Sequence, residues 1–283
     1  MSNYRNKILQ EYRRLGSGKY RKKSRKIVLE GYHLLNEALR AGIEVETVLF
    51  TPGFLQKKAN QELLSEAGGK ARLLEVTPRL FQAVAQTENP QGIGAIARQP
   101  QDSTSLFMPQ KKEKPREWGD GSFFLVLDGL QDPGNLGTII RTAAAAAISG
   151  IFLLPGTVDP YNPKALRASM GGVFHLPLLP VHDVDLCLNY LDEHKIRLVA
   201  ADPRGEQPYY VLDFSSRPHA LIIGNESRGV RAPLLRKAEA RAYIPLSGQI
   251  AALNAAVAAS VFIFENQRQR KIKANPGFDG NRA

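Results

Sequence analysis

The chain has 283 residues, 43% of them hydrophobic and 23% charged, with a net charge of +11. That is enough apolar material for two cores at roughly 150 residues per domain, and it excludes a wholly disordered or fibrous chain. The longest nearly apolar stretch, 250–264, is interrupted by Asn254 and Ser260 and falls short of the ~20 residues a membrane helix needs. An early apolar run is missing and the only cysteine is Cys187, so we expect a soluble, cytoplasmic chain without signal peptide, disulfide, metal centre or membrane partner.

The charge is unevenly placed. Residues 1–26 hold ten Lys or Arg against Glu11 alone, and residues 268–283 hold five against Asp279 alone. The middle of the chain is nearly neutral. Two basic ends predict a cationic N-terminal arm (1–26) and a cationic C-terminal tail (268–283) that bind a polyanion.

Between the ends the elements alternate. Residues 27–29 form a short strand candidate. Leu34, Leu35, Ala38 and Leu39 share one helical face, stopped by Gly42. Val45–Phe50 predicts a strand, a helix runs to Ala67, and 73–76 predicts another strand. Thr77-Pro78 then reads as an N-cap followed by Pro at the first helical position, and 93–97 closes a small α/β domain over 27–98. Residues 99–121 carry Pro100, Pro109, Pro115 and mixed charge, the composition of a linker. From 122 to 267 apolar strands (123–127, 151–154, 198–201, 221–223) alternate with helices (138–147, 184–194, 252–267). That order predicts a mostly parallel sheet covered by helices on both faces.

Three loops follow apolar strands and combine Gly with polar side chains, the places where open α/β sheets bind ligands. They are 128–137 leading to Arg141, 224–229, and 244–249 leading through Leu253 and Asn254 into an Ala-rich helix. None is a nucleotide phosphate loop. The sequence at 92–97 matches G-x-G-x-x-A only on paper, because Arg98-Gln99-Pro100 follows it in place of a helix. That absence argues against a nucleotide- or NAD-dependent enzyme. The five histidines show no metal-ligand spacing.

Together the loops resemble the three motifs of the SpoU (TrmH-type) RNA ribose 2′-O-methyltransferases of the SPOUT superfamily. The first motif matches Asn135, Gly137 and Arg141-Thr142-Ala143. The second matches Gly224, Glu226 and Gly229, and the third Ile244-Pro245, Gly248 and Ala252-Leu253-Asn254. The segment 164–172 also resembles a family segment between the first and second motifs. Residues 18–31 resemble the start of the substrate-binding domain, akin to certain ribosomal proteins, that many such enzymes carry. One departure is Ala252, where the family has Ser.

The resemblance implies an α/β fold: a small N-terminal α/β RNA-binding domain, then a SPOUT-type domain with a C-terminal trefoil knot. It implies a homodimer that uses S-adenosylmethionine to methylate RNA, ribosomal RNA before transfer RNA, with a non-catalytic RNA-binding relative as the alternative. By position, Arg141 would act on the ribose oxygen, with Asn135, Glu226 and Asn254 fixing it and the ribose. Ile223, Gly224, Ile244, Leu246 and Leu253 would hold the cofactor. Arg21, Lys22, Lys23, Arg25, Arg167 and Ser169 would contact RNA.

Overall fold

The computed structural model describes residues 2–100 and 117–275. They form two units. The first joins the N-terminal hundred residues to an excursion from later in the chain, Asp159–His175. Its elements are α1 (Ser2–Arg14), α2 (Gly18–Ser24), β1 (Lys26–Glu30), α3 (Tyr32–Arg40), β2 (Val45–Phe50), a 3-10 turn (Pro52–Gln56), α4 (Lys58–Gly68), β3 (Arg72–Glu75), α5 (Pro78–Val84) and β4 (Ile93–Arg98). The sheet order is β1-β4-β2-β3, with β4 antiparallel to both neighbours. Residues 93–97 therefore lie within β4, and a Cβ on Gly94 would lie 2.2 Å from Tyr12 Oη of α1, so the small residue there lets that helix approach. Thr77 caps α5 as its sequence predicts, its Oγ1 accepting from Leu80 N, with Pro78 opening the helix.

The N-terminal residues differ from a free arm. Residues 2–24 form α1 and α2, and Ile8, Leu9, Tyr12 and Leu15 are buried in the core with Val28, Leu49 and Phe81. The reason lies in the spacing: Ile8, Tyr12 and Leu15 fall on one helical face, so the charges occupy the other. Tyr12 Oη donates to Glu30 at 3.1 Å, and Glu30 also accepts from Gln86 N at 2.6 Å. Burial first, then the neighbouring Glu30 carboxylate, pushes the Tyr12 phenol well above its ordinary pKa.

Arg21 is buried as well, at 2% exposure. Its Nη1 donates to Leu15 O and Gly16 O at 2.9 and 2.8 Å, while Nε and Nη2 reach Asp159 Oδ2 at 3.0 and 2.6 Å. It therefore cannot serve as the exposed RNA contact expected of it. Asp159 belongs to the excursion, whose helix α7 (Pro163–Ser169) packs on β1. His175 Nε2 lies 3.1 Å from Glu37 Oε2 in the same unit.

The second unit holds β5 (Phe123–Asp128), α6 (Pro133–Ala145), β6 (Gly150–Leu153), β7 (Leu178–Pro180), α8 (Val184–Glu193), β8 (Arg197–Ala201), β9 (Gln207–Pro208), β10 (His219–Gly224), α9 (Ala232–Lys237), β11 (Ala240–Tyr243) and α10 (Ala255–Ala274). Its seven strands are all parallel, ordered β7-β6-β5-β10-β8-β11-β9. Both faces of β5 are buried, as its unbroken apolar run requires. Phe124, Val126, Phe152, Tyr190 and Leu198 form one core layer.

Two helix boundaries shift from expectation. α6 begins five residues early because Asp132 caps it, Oδ1 accepting from Asn135 N at 2.7 Å, with Pro133 next. α10 begins later and runs through 268–274, so that part of the basic tail is helical. There Arg268 is paired with Glu265 and Lys273 with Asp120. Residues 276–283 of the tail and 101–116 of the expected linker lie outside the described residues.

Candidate active site

Four neighbouring strands, β5, β10, β8 and β11, run parallel and end on one side of the second unit. Asp128 ends β5 opposite Gly224, the end of β10. Asp128 is buried and accepts from Arg231 N at 2.8 Å and from the Arg231 guanidinium. Asn225 Nδ2 donates to Gly129 O at 2.8 Å, and Asn225 Oδ1 accepts from Ser227 N and Arg228 N. The loop 224–231 is thus bound at both ends to the loop after β5. A Cβ on Gly224 would lie 2.3 Å from the carbonyl carbon of Gly229. The glycine is demanded by closure of its own loop.

Glu226 projects from this loop to the start of α6. Its Oε2 accepts from Gln131 N at 3.2 Å, and its Oε1 from Asp132 N and Asn135 Nδ2 at 3.1 Å each. Burial alone would raise its carboxyl pKa, but these hydrogen bonds outweigh burial and hold it below the usual carboxylate value. Asn135 Oδ1 in turn accepts from Asn254 Nδ2 at 2.9 Å. Asn254 caps α10, its Oδ1 accepting from Ala256 N and Val257 N at 2.9 and 3.3 Å. Asn135, Glu226 and Asn254, taken from three separate loops, therefore form one hydrogen-bonded chain.

Beside this chain lies a cavity of about 610 Å³, within the usual range for small-molecule sites of about 300–1,000 Å³. Ile223, Gly224, Ile244, Leu246 and Leu253, the five residues expected to hold a cofactor, all line it, together with Glu226, Asn254 and Ala252. Asp202, which follows β8, lines it too and was not singled out by the sequence. Arg204 N and Arg241 Nη2 donate to its carboxylate at 2.9 Å each. Burial would raise its pKa, yet these donors and the two cationic side chains lower it. The apolar wall suits a heterocycle, and the charged side chains that line the cavity, Glu226 and Asp202 with Arg204 and Arg228, suit a polar ligand that carries charge.

Arg141 is placed differently from expectation. It sits on the exposed face of α6, outside the residues lining the cavity, and makes no hydrogen bond or ion pair among the described residues. Asn135, Glu226 and Asn254 bond to one another and leave Arg141 unattached. Of the residues expected to contact RNA, Lys22, Lys23 and Arg25 are exposed. Ser169 is buried with its Oγ donating to Leu166 O at 2.8 Å, which removes it from direct contact. Arg167 is half-buried, and its Nη1 is buried without a partner among the described residues. Among the described residues no group of three or more His, Cys, Asp or Glu could hold a metal, and no helix is long and apolar enough to cross a membrane.

Parallel strands that end in a cavity beside this polar chain form the kind of ligand site that open α/β sheets carry at the carboxyl ends of their strands. Residues 122–264 match the SpoU rRNA Methylase family and residues 6–95 the MRM3-like substrate binding domain, and the chain belongs to the SpoU family. It is 33% identical to the 23S rRNA (guanosine(2553)-2′-O)-methyltransferase RlmP of Bacillus subtilis, over 92% of this chain and 96% of that protein. Among solved structures it resembles an AdoMet-bound rRNA methyltransferase from Sinorhizobium meliloti, with TM-score 0.79, 31% identity and coverage of 92% and 94%. It also resembles the AdoMet complex of the SpoU methyltransferase AviRb from Streptomyces viridochromogenes, with TM-score 0.81, 26% identity and coverage of 93% and 98%.

Proposed function

We propose that this chain methylates a ribose 2′-oxygen of ribosomal RNA in the cytoplasm. The observation that carries the reading is the Asn254–Asn135–Glu226 chain at the rim of the 610 Å³ cavity. The 33% identity to RlmP over 92% of this chain supports the ribosomal substrate.

The cavity fits S-adenosylmethionine. Ile223, Ile244, Leu246 and Leu253 offer its adenine an apolar slot, and the Glu226 carboxylate at the rim favours its positive charge. When bound, the cofactor supplies the electrophilic methyl group. The protein aligns the ribose hydroxyl and eases loss of its proton. Asn135 and Asn254 each keep one amide hydrogen free of the bonds described above, and these are the groups that orient the ribose. Arg141 contributes a guanidinium cation that stabilises the incipient alkoxide. Its exposed position on α6 suits a group that meets its partner only when RNA arrives.

A homodimer fits the same unit. Val257 and Phe264 stand one heptad apart on α10 and are 50% and 48% exposed, an apolar stripe that a second copy covers. Lys22, Lys23 and Arg25 supply phosphate contacts. The test is a map of ribose methylation across total RNA from cells with and without this protein, with calorimetry of S-adenosylmethionine binding. Loss of one ribosomal site is the expected result. Tight RNA binding with no affinity for the cofactor would identify a non-catalytic relative.

A further inference from the structure

We propose that a groove on the first unit, lined by Tyr32, His33, Lys57, Asn60 and Gln91, takes one unpaired nucleotide of the RNA substrate. The proposal rests on the reading above and adds a separate recognition site to it. The groove has a volume of about 620 Å³ and lies where the start of α3 meets the turn before α4. Among the described residues no Asp or Glu lines it.

Its residues are those that an isolated nucleotide needs. Tyr32 and His33 place their rings 5.5 Å apart at 88°, so two aromatic surfaces meet at a right angle. An unpaired base has a π-face for such a surface, and stacking of this kind is tolerant of sequence. Two amides are fixed by bonds to the backbone. Gln91 Oε1 accepts from Tyr32 N at 3.0 Å, which leaves its Nε2 as a donor. Asn60 Nδ2 donates to Phe54 O at 2.7 Å, which leaves its Oδ1 as an acceptor. One donor and one acceptor on the same wall match the polar edge of a base. Gly31 lets the chain turn here: its φ is +100°, and a Cβ would lie 3.3 Å from Gln91 Oε1.

Lys57 completes the set. It is exposed and makes no ion pair among the described residues, whereas its neighbour Lys58 faces Glu62 at 3.9 Å. An uncommitted ammonium at the rim suits a phosphate. A base within a duplex offers neither a free face nor a free pairing edge, so the groove selects single-stranded or flipped-out nucleotides.

The experiment measures binding of the full chain to a labelled single-stranded RNA and to a hairpin of the same composition, beside methyl transfer to ribosomal RNA. Tyr32→Ala should weaken single-strand binding roughly 5- to 100-fold and hairpin binding little, with Tyr32→Phe close to wild type. Lys57→Ala, at an exposed position where folding is safe, should lower the salt slope by about one. In methyl transfer Tyr32→Ala should raise the KM for RNA and spare kcat. If the wild type methylates RNA while Tyr32→Ala and Lys57→Ala bind the single strand normally, the groove is not a nucleotide site and the methyltransferase reading stands. Equal losses on hairpin and single strand overturn it too. A wild type that methylates no RNA defeats both readings.

Discussion

Asn254 Nδ2 donates to Asn135 Oδ1 at 2.9 Å across 119 residues of sequence. Each amide also has its other end engaged: Asn254 Oδ1 caps α10, and Asn135 Nδ2 donates to Glu226. A flip would break two bonds at Asn135 and three at Asn254. The amide hydrogens left over are therefore held in fixed directions beside the cavity, which is the preorganisation that methyl transfer demands.

Glu226 anchors that chain, so its replacement tests the whole. Glu226→Gln keeps the shape but sets an NH2 group against donors from Gln131 N, Asp132 N and Asn135 Nδ2. Hydrogen bonds to a charged group are worth about 1.5–3 kcal/mol each, and one lost in the transition state costs roughly 10- to 100-fold in kcat/KM. Steady-state methyl transfer by Glu226→Gln reads this directly. Activity equal to wild type would show that the three loops hold their places without the carboxylate.

Arg21 and Lys22 are adjacent, and their substitutions should have opposite consequences. Breaking a buried pair leaves an uncompensated charge. Asp159→Asn should therefore cost about 3 kcal/mol of stability, near the low end of the range for buried pairs because Asp159 is partly exposed. Thermal unfolding reads that loss. Lys22→Ala with Lys23→Ala should leave unfolding unchanged and lower the slope of log affinity against log salt by about two. A large salt effect from Arg21→Ala without loss of stability would contradict the buried geometry.

Two of the three site loops were legible because each places Gly and polar residues directly after an apolar strand, β5 or β10; the third follows β11, which is not apolar, and was legible from Ile244-Pro245 and Gly248 through the family resemblance. Asn135, Glu226 and Asn254 follow from that pattern and from family resemblance. Asp128 and Arg231 did not stand out, since an ion pair formed across 103 residues leaves no local mark. Nor did Arg21–Asp159, separated by 138 residues, without which a basic segment reads as an arm. The apolar face Ile8, Tyr12 and Leu15 was a signal present in the sequence that the charge count obscured. Strand β11, Ala-Arg-Ala-Tyr, has almost no β-forming character and owes its state to pairing with β8.

His219 predicts the acid sensitivity of the second unit. It is fully buried at the start of β10, its Nδ1 2.7 Å from Arg217 O and its Nε2 without a partner among the described residues. Burial, aided by the nearby Arg197 and Arg217, pushes its pKa down to about 4, against about 6.5 in the unfolded chain. The folded state binds the proton less readily, so this contribution is complete above pH ~6.5 and is lost as pH falls toward about 4. The loss is on the order of 2–3 kcal/mol. Urea unfolding of wild type and His219→Gln at several pH values should show a smaller decline between pH 6.5 and 4 for the variant. Parallel curves would mean that other groups govern this range.

Arg141 bears on how the reaction is driven. It lies on α6 six residues beyond Asn135, exposed and without a partner among the described residues, while Thr142 Oγ1 next to it lies 3.3 Å from Ser260 Oγ on α10. Thr142 thus faces α10, while Arg141 stands on the exposed side of α6. An exposed guanidinium with no hydrogen bond or ion pair among the described residues contributes little to folding, so Arg141→Ala should unfold like wild type. If Arg141 stabilises the developing ribose alkoxide, its effect exists only in the transition state. Single-turnover methyl transfer by Arg141→Ala should fall on the order of 10²–10³-fold, while calorimetric affinity for S-adenosylmethionine stays unchanged because Arg141 does not line the cavity. Arg141→Lys keeps the charge but loses the planar fork, and it should recover only a small part of the rate. Full recovery with Lys would show that a point charge suffices. A near-normal rate for Arg141→Ala would leave the Asn254–Asn135–Glu226 chain as the main source of catalysis.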